Sequence, residues 1–202
     1  VTACAGETEC VNDSPAGLIL FLGPHLARVL WPEQRARWLS QWGEKGWKLR
    51  YTLVSLLGFV LIIWGFGQAR ASGVYLWFPP AGLKHANSLF TLIAMVLLAA
   101  AYVPRNHIKA ALKHPMTLAV KVWAFGHLLA VGSLAGVVLF GSFLVWSILV
   151  FRAARQRDRA EGTRFAPGTW TGTLASLVVG AGIWALFAFW AHGALIGIRL
   201  FA

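Results

Sequence analysis

What most constrains this chain is a set of long apolar runs that contain no Asp or Glu, set apart by short segments rich in Lys and Arg. Six runs are readable, at about residues 16–31, 51–67, 86–103, 117–131, 134–151 and from 170 to 190 or beyond. Most approach the roughly 20 apolar residues that carry a helix across a bilayer. Backbone polar groups in hydrocarbon have to be satisfied within the segment, so the crossing parts have to be helical. The first run is short and is interrupted by Gly23-Pro24 and by Arg28. The fourth and fifth are joined by only Gly132-Ser133, which demands a tight antiparallel hairpin. The expected fold is therefore all-α: a polytopic integral membrane bundle of six transmembrane helices.

The basic residues sort by side. Arg35, Arg37, Lys45, Lys48 and Arg50 follow the first run, Arg105, Lys109 and Lys113 the third, and Arg152, Arg155, Arg157, Arg159 and Arg164 the fifth. The other side holds only Arg70, Lys84 and Arg199, while Arg28 and Lys121 fall within runs. By the positive-inside rule, the first thirteen face the cytoplasm and both termini face out, which is the periplasmic side if the membrane is a bacterial inner (cytoplasmic) one. A net charge of +11 would suggest nucleic acid in a soluble protein. Here the cations lie in short loops, so membrane lipids are the expected partners and nucleic acid is not. With 12% charged residues, 11 Trp and 13 Phe, the composition suits a lipid-facing surface, since soluble domains carry about 25% charge.

Residues 1–16 form a polar tail with Cys4 and Cys10, open to two readings, a disulfide outside the cytoplasm or two free thiols. Residues 1–13 are polar and acidic, without the basic start of a cleavable signal peptide. Residues 71–84 contain Trp77-Phe78-Pro79-Pro80, where consecutive prolines forbid a regular helix; an aromatic interfacial connector is expected. Residues 105–115 read as an interfacial turn or short helix on the basic side.

Two histidines lie inside apolar runs with no carboxylate to partner them. His25 follows Gly23-Pro24 in the first, and His127 lies in the fourth, where Gly126 leaves room beside the imidazole and Trp123, one turn away, can wall a pocket. A buried imidazole needs a partner: a hydrogen bond to another span, or a metal. Two imidazoles from different helices suit a haem iron. Arg28, one turn from His25, needs an anion: a haem propionate, a lipid phosphate or an anionic substrate. Lys121 sits near the end of its run and can snorkel. His85 and His192 share the outer side as alternative ligands or substrate contacts. His107 reads as a solvated surface residue and His114 as a structural interface residue. The apolar region has no cysteine, so thiolate ligation within it is excluded, and no phosphate-binding loop, zinc-type cluster or Ser/His/Asp set is present.

The stretches Gly23-Pro24-His25-Leu26-Ala27-Arg28, Tyr51 to Gly67, Leu76-Trp77-Phe78-Pro79-Pro80, and Lys113-His114-Pro115-Met116 through His127-Leu128-Leu129 to Phe140-Gly141-Ser142-Phe143 resemble the NnrU family. The resemblance covers about residues 17–202, leaving 1–16 outside it. It implies a link to denitrification and nitric oxide metabolism, as in bacterial members. The family also contains the plant zeta-carotene isomerase, an integral membrane haem b enzyme. The resemblance implies that His25 and His127 are its haem ligands here. Where that enzyme has a cysteine implicated in ligand exchange, this chain has Ala124. Three functions follow as expectations. The first is a haem b protein acting as an accessory, sensor or redox component of nitric oxide handling. The second is a haem-dependent cis-trans isomerase of a carotenoid, and the third a haem-free structural subunit of a membrane complex.

Overall fold

The computed structural model describes residues 9–71 and 73–198, with side chains from residue 15; Cys4, the Cys10 side chain and Arg199 lie outside what it describes. Every regular element among the described residues is helical. They are α1 (Glu9–Leu30), α2 (Pro32–Ala71), α3 (Ala81–Tyr102), α4 (His107–Leu112), α5 (Pro115–Ala130), α6 (Leu134–Glu161), α7 (Trp170–Leu186) and α8 (His192–Ile196). A π-helical turn, Phe187–Ala191, joins the last two.

All six apolar runs are helical, and several helices outrun them. Of the described helices, four are long and apolar enough to cross a membrane: Pro32–Ala71, Ala81–Tyr102, Leu134–Glu161 and Trp170–Ile196. The apolar stretches Pro15–Leu30 and Pro115–Ala130 are shorter. Sixteen residues, the length of α5, span only about 24 Å of rise. Large side chains such as Leu53, Ile63, Trp64, Leu174, Val178 and Phe189 stand exposed on the long helices. Such surfaces belong against lipid rather than water, so the chain is a membrane protein by this criterion.

The segment expected as a loop before residue 51 is helical too. Pro32 takes the first helical position, where its missing N–H costs nothing. α2 then breaks at Gly43, whose φ of 68° and ψ of 170° interrupt the helix and favour glycine. Trp38, Trp42 and Trp47 stack around that break at centroid distances of 5.3–6.4 Å. Hydrophobic periodicity alone misses this part of α2 because its turns are polar and its Trp residues cluster at the break.

The chain forms two compact units. One comprises Val1–Phe78 with Val131–Val150, the other Pro79–Ala130 with Phe151–Ala202. In the first, α1 runs antiparallel to the second half of α2. Close approach depends on glycine: a Cβ on Gly58 would lie 2.5 Å from the Phe21 backbone nitrogen, and one on Gly17 2.8 Å from that of Ile62. The connector after α2 pairs with the turn before α6, through Leu76 N–H to the Gly132 carbonyl (2.8 Å) and Leu134 N–H to that of Val74 (3.0 Å). Trp77, Phe78, Pro79 and Pro80 are non-helical, as consecutive prolines require.

In the second unit α3 is the common partner. Gly126 of α5 meets Asn87 and Phe90, and Gly180 of α7 meets Val96. Trp184 donates to the Ser88 carbonyl at 3.1 Å and to the Thr91 hydroxyl at 3.2 Å. Both α5 and α7 therefore run antiparallel to α3. Asn106, 1% exposed, closes α3 and opens α4. Its amide donates to the Ala100 and Val103 carbonyls at 2.9 and 2.7 Å and accepts from Lys109 N–H at 2.7 Å. Thr169 N–H meets the Arg105 carbonyl at 2.6 Å, fastening this corner to the start of α7.

Gly58→Ala adds a single carbon that meets backbone. Overpacking costs about 1–3 kcal/mol, so the thermal midpoint of the detergent-solubilised protein is expected to fall by roughly 3–10 °C. Gly67→Ala, with nothing within 4 Å of the new carbon, is expected to leave the midpoint unchanged or raise it, since Ala favours helix over Gly by about 1 kcal/mol.

Candidate functional site

α1 runs through Pro24 without ending. Proline has no N–H to give the carbonyl four residues earlier, which loosens this turn locally. Next to it, the His25 imidazole turns back along its own helix and its Nδ1 meets the Phe21 carbonyl oxygen at 2.5 Å. Aromatic rings enclose the imidazole: Phe21 at 4.7 Å, Tyr51 at 5.0 Å and Trp146 edge-on at 6.0 Å. Phe21 also reaches Phe143 of α6 at 5.8 Å. Large rings thus bridge α1 and α6, and an apolar groove of about 490 Å³ runs between them, lined by Leu22, Leu26, Val138, Val145 and Trp146 among others. The buried Trp146 indole N–H has no hydrogen-bond partner among the described residues.

His127 repeats the arrangement in the second unit. Its Nδ1 meets the Trp123 carbonyl oxygen at 2.8 Å, and the Trp123 ring lies 5.1 Å away. In each case the carbonyl can only accept, so Nδ1 carries the proton and Nε2 is the basic nitrogen. The space expected beside Gly126 is filled by α3, because a Cβ there would strike Asn87 and Phe90. The buried Asn87 side-chain oxygen has no partner among the described residues. Ala124, three residues before His127, is fully buried.

The remaining sequence candidates are placed as follows. Arg28 lies exposed in the last turn of α1, where the helix dipole favours a cation without an intramembrane anion. Lys121 sits 4.5 Å over the Phe151 ring, a cation–π contact rather than a simple extension into water. His192 opens α8 with Nδ1 on the Ile198 carbonyl at 2.7 Å. His85 is exposed near the start of α3. His107 is exposed but engaged, bonded to Thr173 at 2.9 Å and set against Trp170. Among the described residues no cluster of three or more His, Cys, Asp or Glu forms.

The residue that sequence reading missed is Asp158. α6 continues past its apolar run to Glu161, and this brings the Asp158 carboxylate within 2.7 Å of His114 Nε2. Phe151 and Phe165 stand edge-on to that imidazole at 6.2 and 5.9 Å. The signal available was the run of good helix formers after Phe151, which extends the helix and sets its phase.

Comparison with known proteins adds one finding. The family model described as NnrU protein matches residues 15–200, nearly the whole chain. The chain belongs to that family. No curated protein and no solved structure matches it.

Proposed function

We propose that this member of the NnrU family is a six-span inner-membrane protein that binds one haem b, which His25 and His127 would hold as its ligands. The observation that carries the reading is the hydrogen bond the two imidazoles share. Each Nδ1 is fixed on the carbonyl four residues earlier in its own helix, Phe21 for His25 and Trp123 for His127. Metal-bound histidine characteristically donates its second N–H to such an acceptor, which sets the tautomer and raises the basicity of Nε2.

The surroundings fit a large, flat, largely apolar group. Each imidazole has aromatic neighbours, Phe21, Tyr51 and Trp146 for His25 and Trp123 for His127. Trp146 offers a buried indole N–H with no partner among the described residues, suited to an acceptor on the bound group. Arg28 is the proposed propionate contact. When bound, the haem would supply an iron able to take a small diatomic ligand or an electron; the chain's own residues orient it and keep it dry.

Six crossings are supported by alternation. α1 lies antiparallel to α2, and α5 and α7 lie antiparallel to α3. The connectors at 74–77 and 132–134 are hydrogen bonded together, as are those at 105 and 169. Each pair belongs on a single membrane side if α1 and α5 cross with the four longer helices. The same count puts thirteen cations on one side and three on the other, the asymmetry of an inner-membrane protein with periplasmic termini.

Substituting either ligand tests the reading. His25→Ala and His127→Ala are each expected to lower haem occupancy at least about ten-fold, since losing even an outer-shell partner costs about 10–100-fold in affinity. The pyridine haemochrome of detergent-purified protein is the measurement. Full haem content and an unchanged Soret band in both variants would overturn the assignment.

A second reading, haem-dependent isomerisation of a carotenoid, is favoured by the apolar groove beside His25. Two additions to the reduced protein separate the readings. A Soret shift with nitric oxide and no turnover of a cis-carotene is expected for a nitric oxide-linked haem protein. Conversion of the cis-carotene to its trans isomer would establish the isomerase instead.

A further inference from the structure

At the basic end of α6 lies a second cleft of about 520 Å³. Its lining is divided in chemistry. Arg152, Arg155 and Arg159, with Gln156, line it from α6, while Ala111 and Leu112 of α4, Leu118 of α5 and Phe151 of α6 supply an apolar wall. The three arginines follow one another at spacings of three and four residues, so they share one helix face. Phe151 ends the apolar run and Arg152 begins the polar one. The cleft therefore sits where hydrocarbon gives way to headgroups.

Its charge is not answered by the protein. No carboxylate is among the lining residues, and the described residues give none of these three guanidinium groups an ion pair. Asp158 is one helical turn from Arg155 and would ordinarily be placed to neutralise it. It is instead held by His114 at 2.7 Å. Of the nearby lysines, Lys113 lies over Phe165 and Lys121 over the ring of Phe151 at the cleft's edge, so neither offers the arginines a counter-charge. Three like charges close together on one helix face repel each other unless an anion lies between them.

We propose that this cleft is a binding site for one anionic phospholipid. The phosphodiester lies among Arg152, Arg155 and Arg159, and an acyl chain lies over Phe151, Leu118 and Leu112. The cleft falls in the 300–1,000 Å³ range of sites for small molecules. Guanidinium forks match phosphate oxygens in pairs, which gives a fixed site rather than diffuse attraction to a charged surface. The apolar wall selects a lipid over a soluble phosphate.

The test uses the full chain in mild detergent, delipidated and then titrated with phosphatidylglycerol or phosphatidylcholine and read by native mass spectrometry. The expected result is one retained phosphatidylglycerol, bound at least about ten-fold more tightly than phosphatidylcholine, because about three charge-assisted contacts are involved. Arg152→Gln/Arg155→Gln/Arg159→Gln should abolish the preference. Arg35→Gln/Arg37→Gln, a loss of two charges from the first half of α2, should keep it. If the triple variant does not fold, as judged by size exclusion, Arg155→Gln against Arg155→Lys serves; the first should weaken the preference several-fold more than the second. The proposal is overturned if the preference survives in the triple variant, or in Arg155→Gln where that variant is used. It is also overturned if the control loses it equally. Finally, glycerol phosphate displacing the lipid at the lipid's own concentration would make this a soluble-anion site.

Discussion

Helices in hydrocarbon gain nothing from burying apolar surface against one another, because lipid is as apolar as leucine; they hold together by close contact and by the few polar bonds they share. Glycine contacts carry that burden here. Gly58 brings the α1 backbone against α2, Gly126 brings α5 against α3, and Gly180 brings α7 against α3. Small buried residues continue two of these seams: Ser55 and Gly65 on α2, and Gly172 and Ser176 on α7. The large residues, freed from packing, are turned outward to lipid. The aromatic rings that remain inside, around His25, mark where helices are held apart rather than together.

This inversion explains what could be read in advance. Apolar runs without carboxylates give the helices directly, because no other backbone structure is tolerated there. The consecutive prolines at 79–80 give the break before α3 for an equally local reason. What escaped reading were helices continuing into water, α2 before residue 51 and α6 beyond residue 151. Hydropathy reports the solvent a segment meets and not whether it stays helical. Glu, Gln, Ala and Arg continue a helix as well as leucine does.

The candidate ligands were legible as residue types but not as chemistry. His25 and His127 stand out because hydrocarbon offers an imidazole so few partners. That each would turn Nδ1 onto its own helix's carbonyl could not be read from spacing, since it depends on rotamer and on which neighbours enclose the ring. Gly126 was misleading for the same reason. A glycine beside a histidine reads as space for a cofactor, yet here the space admits Asn87 and Phe90 of α3. Ala124 has a similar character: it is fully buried, and a methyl there completes packing while offering no thiol to compete with the imidazole.

The basic end of α6 shows how a helix can fasten and recognise at once. Its carboxylate and its arginines are neighbours in sequence, and on an isolated helix Asp158 would lie on the same face as Arg155 and quench it. Drawing Asp158 across to His114 does two things. It ties α6 to the corner where α5 begins, within a cage of Phe151 and Phe165. It also leaves Arg152, Arg155 and Arg159 at the cleft without that counter-charge. Loss of His114 would therefore be felt twice, once in the joint and once in the charge of the cleft, because the carboxylate released from one would be free to neutralise the other.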